Sequence, residues 1–350
     1  MFHQNLSAQD LCARRESVDV VPTAALRAHL EAGTPKVVCS WVNCGRVTPM
    51  SNTAISVTDL SKKYGDQIAV SHATFEVPLG TICGFVGPNG SGKTTTMRML
   101  LGLITPTGGT GEILGESIKH PEKYLPRVGA MIEGPAFYPA LSGKENLNVL
   151  ATLGGFSTDR VQGLLEQVGL GDRGKSKFKT YSLGMKQRLG IAAALLPNPK
   201  LLMLDEPTNG LDPEGIQEVR ALLRSLANDG TSVFVSSHLL SELELISDYL
   251  VMLRKGEVVF TGKMTDLMLS QQPVIIAKGS SEDDLTLLLA IAEQAGHHAT
   301  IRDGAVHVQG PAEWAIEFNR AAFDAGITLS QLTPQLPNLE ETFFEMTGDK

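Results

Sequence analysis

The chain has 350 residues and a formal net charge of −8, which argues against a nucleic-acid binder, because neutralising phosphates takes a basic face. No apolar run approaches the roughly 20 residues that cross a bilayer, and no segment reads as a secretory signal. The four cysteines, three of them within the first 44 residues, do not make a secreted disulfide framework.

Residues 1–49 contain one amphipathic stretch, Ala24 to Ala32, and nothing that joins a motif. They are expected to be a disordered tail, or to precede a translation start at Met50. Cys39 and Cys44 lack the second pair that a structural metal site needs. An α/β domain is expected over 50–271, opening with strand patterns at Ile55 to Val57 and Ile68 to Val70.

Thr81 to Val86 reads as a short buried strand, and Thr94 to Leu103 as a helix with Met97, Leu100 and Leu101 on its apolar face. Between them, Gly87-Pro88-Asn89-Gly90-Ser91-Gly92-Lys93-Thr94-Thr95 fits G-x-x-x-x-G-K-[ST], the phosphate loop of nucleotide hydrolases. A strand that turns through glycines into a helix aims backbone N–H groups and the positive end of the helix dipole at one point, where an anion binds. Lys93 can reach the β- and γ-phosphates, and the Thr94 hydroxyl can ligate Mg²⁺.

The βαβ rhythm breaks over about 136–186. Ser142 and Glu145 form a capping box ahead of Asn146 to Leu153, and Val161, Leu164, Leu165 and Val168 follow helical spacing. Phe137 and Tyr138 read equally as contacts to a partner or as buried aromatics. Ser182 and Gly184 begin the helix running from Met185 to Leu196. They offer a hydroxyl, an N–H and a dipole suited to a γ-phosphate.

Leu201-Leu202-Met203-Leu204-Asp205-Glu206-Pro207 is an apolar run ending in two carboxylates, as a central parallel strand would be. Open α/β sheets place their ligands at such strand ends. Asp205 is then positioned to hold Mg²⁺, and Glu206 to polarise the attacking water. In isolation the pair also reads as a helix N-cap; the phosphate loop upstream favours chemistry. Thr231 to Val235 is a further strand, closed by Ser236-Ser237-His238, and a hairpin about Lys255-Gly256 ends the domain.

Residues 272–350 change pattern. The strand at Val274 to Ala277, the helix from Glu282 to Ala295, the hairpin around Asp303-Gly304, the helix from Glu313 to Ala325 and the strand from Thr328 to Leu332 spell βαββαβ. That order is a small α+β, ferredoxin-like sandwich. His297, His298 and His307 share its hairpin without acidic or thiol companions and make a weak case for metal. Leu339 to Gly348 reads as a terminal helix.

Several of these segments resemble the ATP-binding cassette (ABC) ATPases, in the right order from about Ala54 to Gly262. Tyr181-Ser182-Leu183-Gly184-Met185-Lys186-Gln187-Arg188 resembles the family signature, with Leu183 and Met185 in place of a glycine and the glutamine. Asn209-Gly210-Leu211-Asp212 is similar to its D-loop, Ser236-Ser237-His238 to its switch histidine, and Tyr64 to the aromatic that stacks on adenine. Glu133 stands where the family's Q-loop carries glutamine; a carboxylate there can still ligate Mg²⁺ but loses the amide donor.

The resemblance implies a P-loop NTPase core with a helical subdomain, binding ATP and Mg²⁺. Ser182 and Gly184 would act on ATP held by a second copy in a head-to-tail dimer. His238 would bond the γ-phosphate and Asp212 would line the seam. Glu133 together with the signature is similar to the branch that serves drug, bacteriocin and antibiotic-resistance exporters. It implies a peripheral ATPase on the cytoplasmic face of the membrane, paired with a transmembrane permease. The alternative is a soluble ABC-type ATPase, whose usual coiled coils, tandem cassettes or basic patches this sequence lacks.

Overall fold

Strand runs of nearly unbroken apolar sequence need cover on both faces, and the fold supplies it. The computed structural model describes residues 52–134, 136–270, 273–335, 339–340 and 342–343. The expectations for 1–49, including Cys39 and Cys44, and for most of the terminal helix lie outside them. Strands Ile82–Val86, Leu201–Asp205 and Ser232–Ser237 are buried at every position. They sit inside a six-stranded sheet ordered Glu257–Lys263, Tyr249–Arg254, Ile82–Val86, Ser232–Ser237, Leu201–Asp205, Val128–Met131. All neighbours are parallel except the first pair, the hairpin about Lys255-Gly256. Both turn residues take positive φ, 49° and 86°, as a two-residue hairpin loop requires.

The period of two along each strand sends alternate side chains to opposite cores. Cys83, Phe85, Leu201, Met203 and Phe234 face one core, and Ile82, Val86, Leu202, Leu204, Val233 and Val235 face the other. The first core is covered by helix Lys93–Leu100 and by an antiparallel sheet ordered Gln67–Pro78, Thr53–Tyr64, Gly108–Ile113, Glu116–Ser117. Phe75 of that sheet packs 5.8 Å from Phe85, which lies 4.8 Å from Phe234. The second core is covered by helices Leu183–Ala194 and Pro213–Asn228. It continues into helices Gly143–Gly154 and Arg160–Gln167 through Leu147, Val161, Leu164 and Leu165. The Ser142–Glu145 capping box forms as expected.

Three expectations on element bounds are corrected. The helix after the phosphate loop stops at Leu100 instead of Leu103, because Gly102 turns to a φ of 69° and Leu103 points into solvent. The two opening strands are 12 residues each, far longer than their apolar cores, since strand pairing carries their polar ends. The C-terminal helix begins as a 3-10 turn, Ala312–Trp314, and becomes α-helical only at Ala315.

The C-terminal elements form an antiparallel sheet ordered Ala299–Arg302, Ala305–Gln309, Val274–Gly279, Leu329–Gln335. Helices Glu282–Gln294 and Ala315–Asp324 pack on it over Ile275, Val306, Val308, Leu288 and Phe318. The first strand lies between the third and the fourth, which is the ferredoxin-like arrangement. The chain then returns to the larger α/β domain. Leu339 and Phe343 are buried in its second core, and the Leu339 N–H donates to Glu244 Oε2 at 3.1 Å.

Candidate nucleotide site

Because the central strands are parallel, their C-terminal ends converge at one edge. Register pairs Val86 with Ser237 and Asp205 with Ser236, so the phosphate loop, the two carboxylates and His238 arrive together. They border an open cleft of about 550 Å³, lined by Tyr64, the loop from Asn89 to Thr95, Glu206, Asn209 and His238.

Two glycines make the loop possible. A Cβ at Gly87 would stand 2.3 Å from the Leu253 carbonyl oxygen of the neighbouring strand, and one at Gly92, where φ is 106°, 2.6 Å from that of Ala69. The helix that follows has no side-chain cap and no acidic residue in its first turn. Its free N–H groups and dipole therefore face the cleft. The Ser91 hydroxyl is buried there without a hydrogen-bond partner among the described residues, a donor to which a phosphate oxygen would be the natural acceptor.

Lys93 is 6% exposed. Its Nζ donates to the Gly87 carbonyl at 2.6 Å and lies 3.3 Å from Glu206 Oε1. Glu206 Oε2 accepts the His238 N–H at 3.3 Å and lies 2.7 Å from His238 Nδ1. Glu206 thus sits between the Lys93 ammonium and the His238 imidazole, on a backbone with φ of 49°. Such a left-handed conformation is uncommon outside glycine. The Thr94 hydroxyl donates to Asp205 Oδ2 at 2.7 Å.

One functional residue escaped the sequence reading. Ser236, fully buried, donates to Asp205 Oδ1 at 2.6 Å and accepts the Glu206 N–H at 2.9 Å. One hydroxyl ties both consecutive carboxylate residues to the adjacent strand Ser232–Ser237. The available signal was a pair of serines ending an apolar strand.

The remaining expected residues fall into three places. Tyr64 is half-exposed at the mouth of the cleft, with Lys62 Nζ 4.9 Å from its ring centroid. Ser182 caps its helix by accepting the Met185 N–H at 3.3 Å, and Asp212 caps the next by accepting the Gly215 N–H at 3.0 Å. Neither Ser182, Gly184 nor Asp212 lines this chain's cleft. Leu183 is half-exposed and packs over Gly210, whose φ of 75° and missing Cβ leave it room. Glu133 also lies outside the cleft. It is two-thirds exposed, at a φ of 64°, and ion-paired with Arg98. Of the two aromatics, Phe137 packs 5.1 Å from Phe178, and Tyr138 is 62% exposed.

Cys83, beneath the loop, is wholly buried, and burial pushes its thiol up, away from nucleophile chemistry. The described residues contain no cluster of three or more His, Cys, Asp or Glu side chains able to hold a metal. Of the three C-terminal histidines, His297 places its ring 4.0 Å from that of Trp314, tilted against it.

Comparison with known proteins agrees with this geometry. The ABC transporter family model matches residues 70–209. The bacitracin transport ATP-binding protein BcrA of Bacillus licheniformis is 39% identical over 300 residues, covering 85% of this chain and 98% of that protein. The lantibiotic transport ATP-binding protein SrtF of Streptococcus pyogenes is 41% identical over 205 residues, 59% of this chain and 89% of the relative. A solved ATP-binding subunit of an ABC transporter matches with TM-score 0.56 and 32% identity, over 62% of this chain and 93% of its own. An ATP-binding cassette solved as a dimer in a post-hydrolysis state with ADP and Pi matches with TM-score 0.53 and 25% identity, over 60% of this chain and 98% of its own. A phosphate loop poised beside a buried aspartate and a glutamate, in a chain that spans nearly the whole of such a relative, leaves one assignment: this protein belongs to the ABC transporter ATP-binding proteins, and it is an ATP-hydrolysing subunit.

Proposed function

We propose that two copies of this chain, head to tail, clamp two ATP molecules and drive export through a separate transmembrane permease. The observation that carries the reading is the split of the site. Ser182 and Gly184 begin a helix suited to a γ-phosphate, yet both stand outside the cleft of their own chain, and Ser182 is exposed. A second copy, turned head to tail, would bring them to the phosphates and place Asp212 at the seam.

Lys93, the loop amides and the helix dipole neutralise phosphate charge on one side. Arriving phosphates compete for Lys93, which frees Glu206 from its ammonium to polarise the attacking water, while His238 holds the Glu206 carboxylate in line. Thr94 Oγ1 and Asp205 Oδ2, 2.7 Å apart, are the hard oxygen donors that Mg²⁺ prefers. The ion, when bound, neutralises charge on the transferring phosphoryl group. Hydrolysis removes the negative charge that bridges the two copies, so the clamp opens.

Among the described residues no helix is long and apolar enough to cross a membrane, which agrees with a peripheral subunit on the cytoplasmic face. The relatives named for bacitracin and lantibiotic transport favour an antibiotic, drug, peptide or lipid-like cargo.

Glu206→Gln tests the chemistry and the clamp together. The variant should bind ATP, lose turnover and elute as a dimer only with ATP, whereas Lys93→Ala should bind none. Normal turnover in Glu206→Gln, or a monomer at saturating ATP, would refute the assignment. Membrane fractionation of native protein separates this reading from a soluble ATPase.

A further inference from the structure

Strand Thr53–Tyr64 ends at the mouth of the nucleotide cleft, with Lys62, Lys63 and Tyr64 as its last residues. Tyr64 pairs with Gln67 across a turn at Gly65, where φ is 56°. The residue expected to stack on the base thus stands at the tip of a hairpin. A half-exposed ring in such a place has little around it to fix its orientation, and a ligand that stacks on it must offset the entropy of ordering it.

Lys62 holds that ring. Residues two apart on a strand point to the same face, and the Lys62 ammonium lies over Tyr64, 4.9 Å from the ring centroid. A cation there is attracted by the negative face of the ring. The ammonium is itself anchored, since Lys62 Nζ donates to the Thr105 carbonyl at 2.7 Å. Thr105 belongs to the loop that follows the phosphate-loop helix Lys93–Leu100. One side chain therefore refers the ring to the element that begins with the phosphate-binding amides. Tyr64 lines the cleft, whereas Lys62 does not. The neighbouring Lys63 turns elsewhere, its Nζ 3.9 Å from Asp66 Oδ1.

Pinning the loop at Thr105 does not by itself require Lys62. The Thr107 N–H and hydroxyl both donate to the Ser61 carbonyl, at 2.8 and 3.0 Å, and the Lys63 N–H donates to Thr107 Oγ1 at 3.0 Å. These bonds already join the loop to the strand. What Lys62 adds is a positive charge fixed on one face of an aromatic ring.

We infer that Lys62 is a positioning residue for the nucleobase. It orders the Tyr64 ring by covering one face and leaves the other to the base, so that ring and phosphate loop meet the nucleotide at a set spacing. The inference rests on Tyr64 as the base-stacking residue and adds the group that orders it before ATP arrives.

The test is calorimetric titration of the full chain with metal-free ATP and with inorganic triphosphate, which lacks the base. Lys62→Gln keeps an N–H donor for the Thr105 carbonyl and removes the charge. It should weaken ATP binding about two- to fivefold, the scale of a cation on an exposed ring. Triphosphate binding should stay at the parental value and report a folded site. Lys62→Arg, whose guanidinium also stacks on aromatic faces, should restore ATP affinity. Added to Tyr64→Ala, Lys62→Gln should cause no further loss, because the lysine acts only through the ring.

Equal weakening of ATP and triphosphate by Lys62→Gln would be an effect of loop structure or general charge, and overturns the inference. Parental ATP affinity in Lys62→Gln overturns it as well, as does a further loss on top of Tyr64→Ala. If Tyr64→Ala itself weakens both ligands alike, the base stacks elsewhere and both readings fall. If Tyr64→Ala weakens ATP alone while Lys62→Gln changes nothing, Tyr64 keeps its place and only the part given to Lys62 is lost.

Discussion

Ser236→Ala isolates the residue that joins the two carboxylates. The substitution removes a buried hydrogen bond to Asp205 Oδ1, 2.6 Å long, and the acceptor of the part-buried Glu206 N–H at 2.9 Å. A hydrogen bond to a charged group contributes about 1.5–3 kcal/mol, and a buried N–H left unpaired costs about 1–3 kcal/mol. Partial relaxation makes these less than additive, so the expected loss of stability is about 2–4 kcal/mol. The larger interest is in turnover. Asp205 would keep Thr94 on Oδ2 but lose the restraint on Oδ1, and Glu206 would lose the anchor of its left-handed backbone. A penalty of about 1.5–3 kcal/mol in the transition state is roughly a 10- to 100-fold fall in kcat. A serine that merely filled space would lower stability alone. A positioning serine should also raise the Mg²⁺ concentration needed for half-maximal ATPase activity while leaving metal-free ATP affinity unchanged, and Ser236→Thr, which keeps the hydroxyl, should restore most of both. The assay is ATP hydrolysis under Mg²⁺ titration, beside urea unfolding. Parental kcat and Mg²⁺ requirement in Ser236→Ala would show that the bridge is incidental to the chemistry.

Tyr64→Ala should weaken ATP binding by about 1–3 kcal/mol, the scale of base stacking on an aromatic ring, with inorganic triphosphate affinity unchanged; equal loss for both ligands would move Tyr64 off the base. Glu133→Gln should keep ATPase activity and alter its coupling to transport, whereas Glu133→Ala should lower Mg²⁺-dependent turnover; full activity and full transport in the alanine variant would exclude a sensing role for that loop. The capping box at Glu145 predicts acid sensitivity. Its carboxyl is held low, first by the Ser142 N–H, so its stabilising effect is present above the unfolded value and is lost as pH falls through the folded one. Glu145→Gln should therefore narrow the stability gap between neutral and acidic pH in urea titrations, and an unchanged gap would place the acid response elsewhere.

How much of this was legible in the sequence follows from how local each signal is. The phosphate loop was fully legible because glycine spacing, strand and helix occupy one continuous segment, and the structure then supplies the reason for Gly87 and Gly92 in two close backbone approaches. The βαββαβ order was legible for the same reason, each element having its own period and turn, as at Asp303-Gly304 with φ of 51° and 69°. The third strand of the antiparallel sheet, Gly108–Ile113, was not, since Gly108, Gly109 and Gly111 carry no periodicity and the strand exists through pairing with residues more than 45 positions earlier. Ser236 was invisible for a related cause. Its partners lie 30 and 31 residues upstream, and only the register of two parallel strands brings them together.

Glu133 marks where residue-by-residue transfer from a family pattern stops. A motif position fixes where the backbone goes, but the side chain answers to its neighbours. Arg98, on the helix that the phosphate loop begins, engages the carboxylate, a partner that a glutamine at the same place would meet without charge. A carboxylate that reaches for Mg²⁺ must first leave that arginine, and exposure of both groups keeps the separation inexpensive. Glutamine would have no such pair to break. Should Glu133 serve as a Mg²⁺ ligand, its move to the metal would compete with Arg98, and raising the ionic strength should ease it by screening the exposed pair. Transport coupling in the parent should gain from added salt, coupling in Glu133→Gln should not, and an equal response in the two would detach the loop from Arg98.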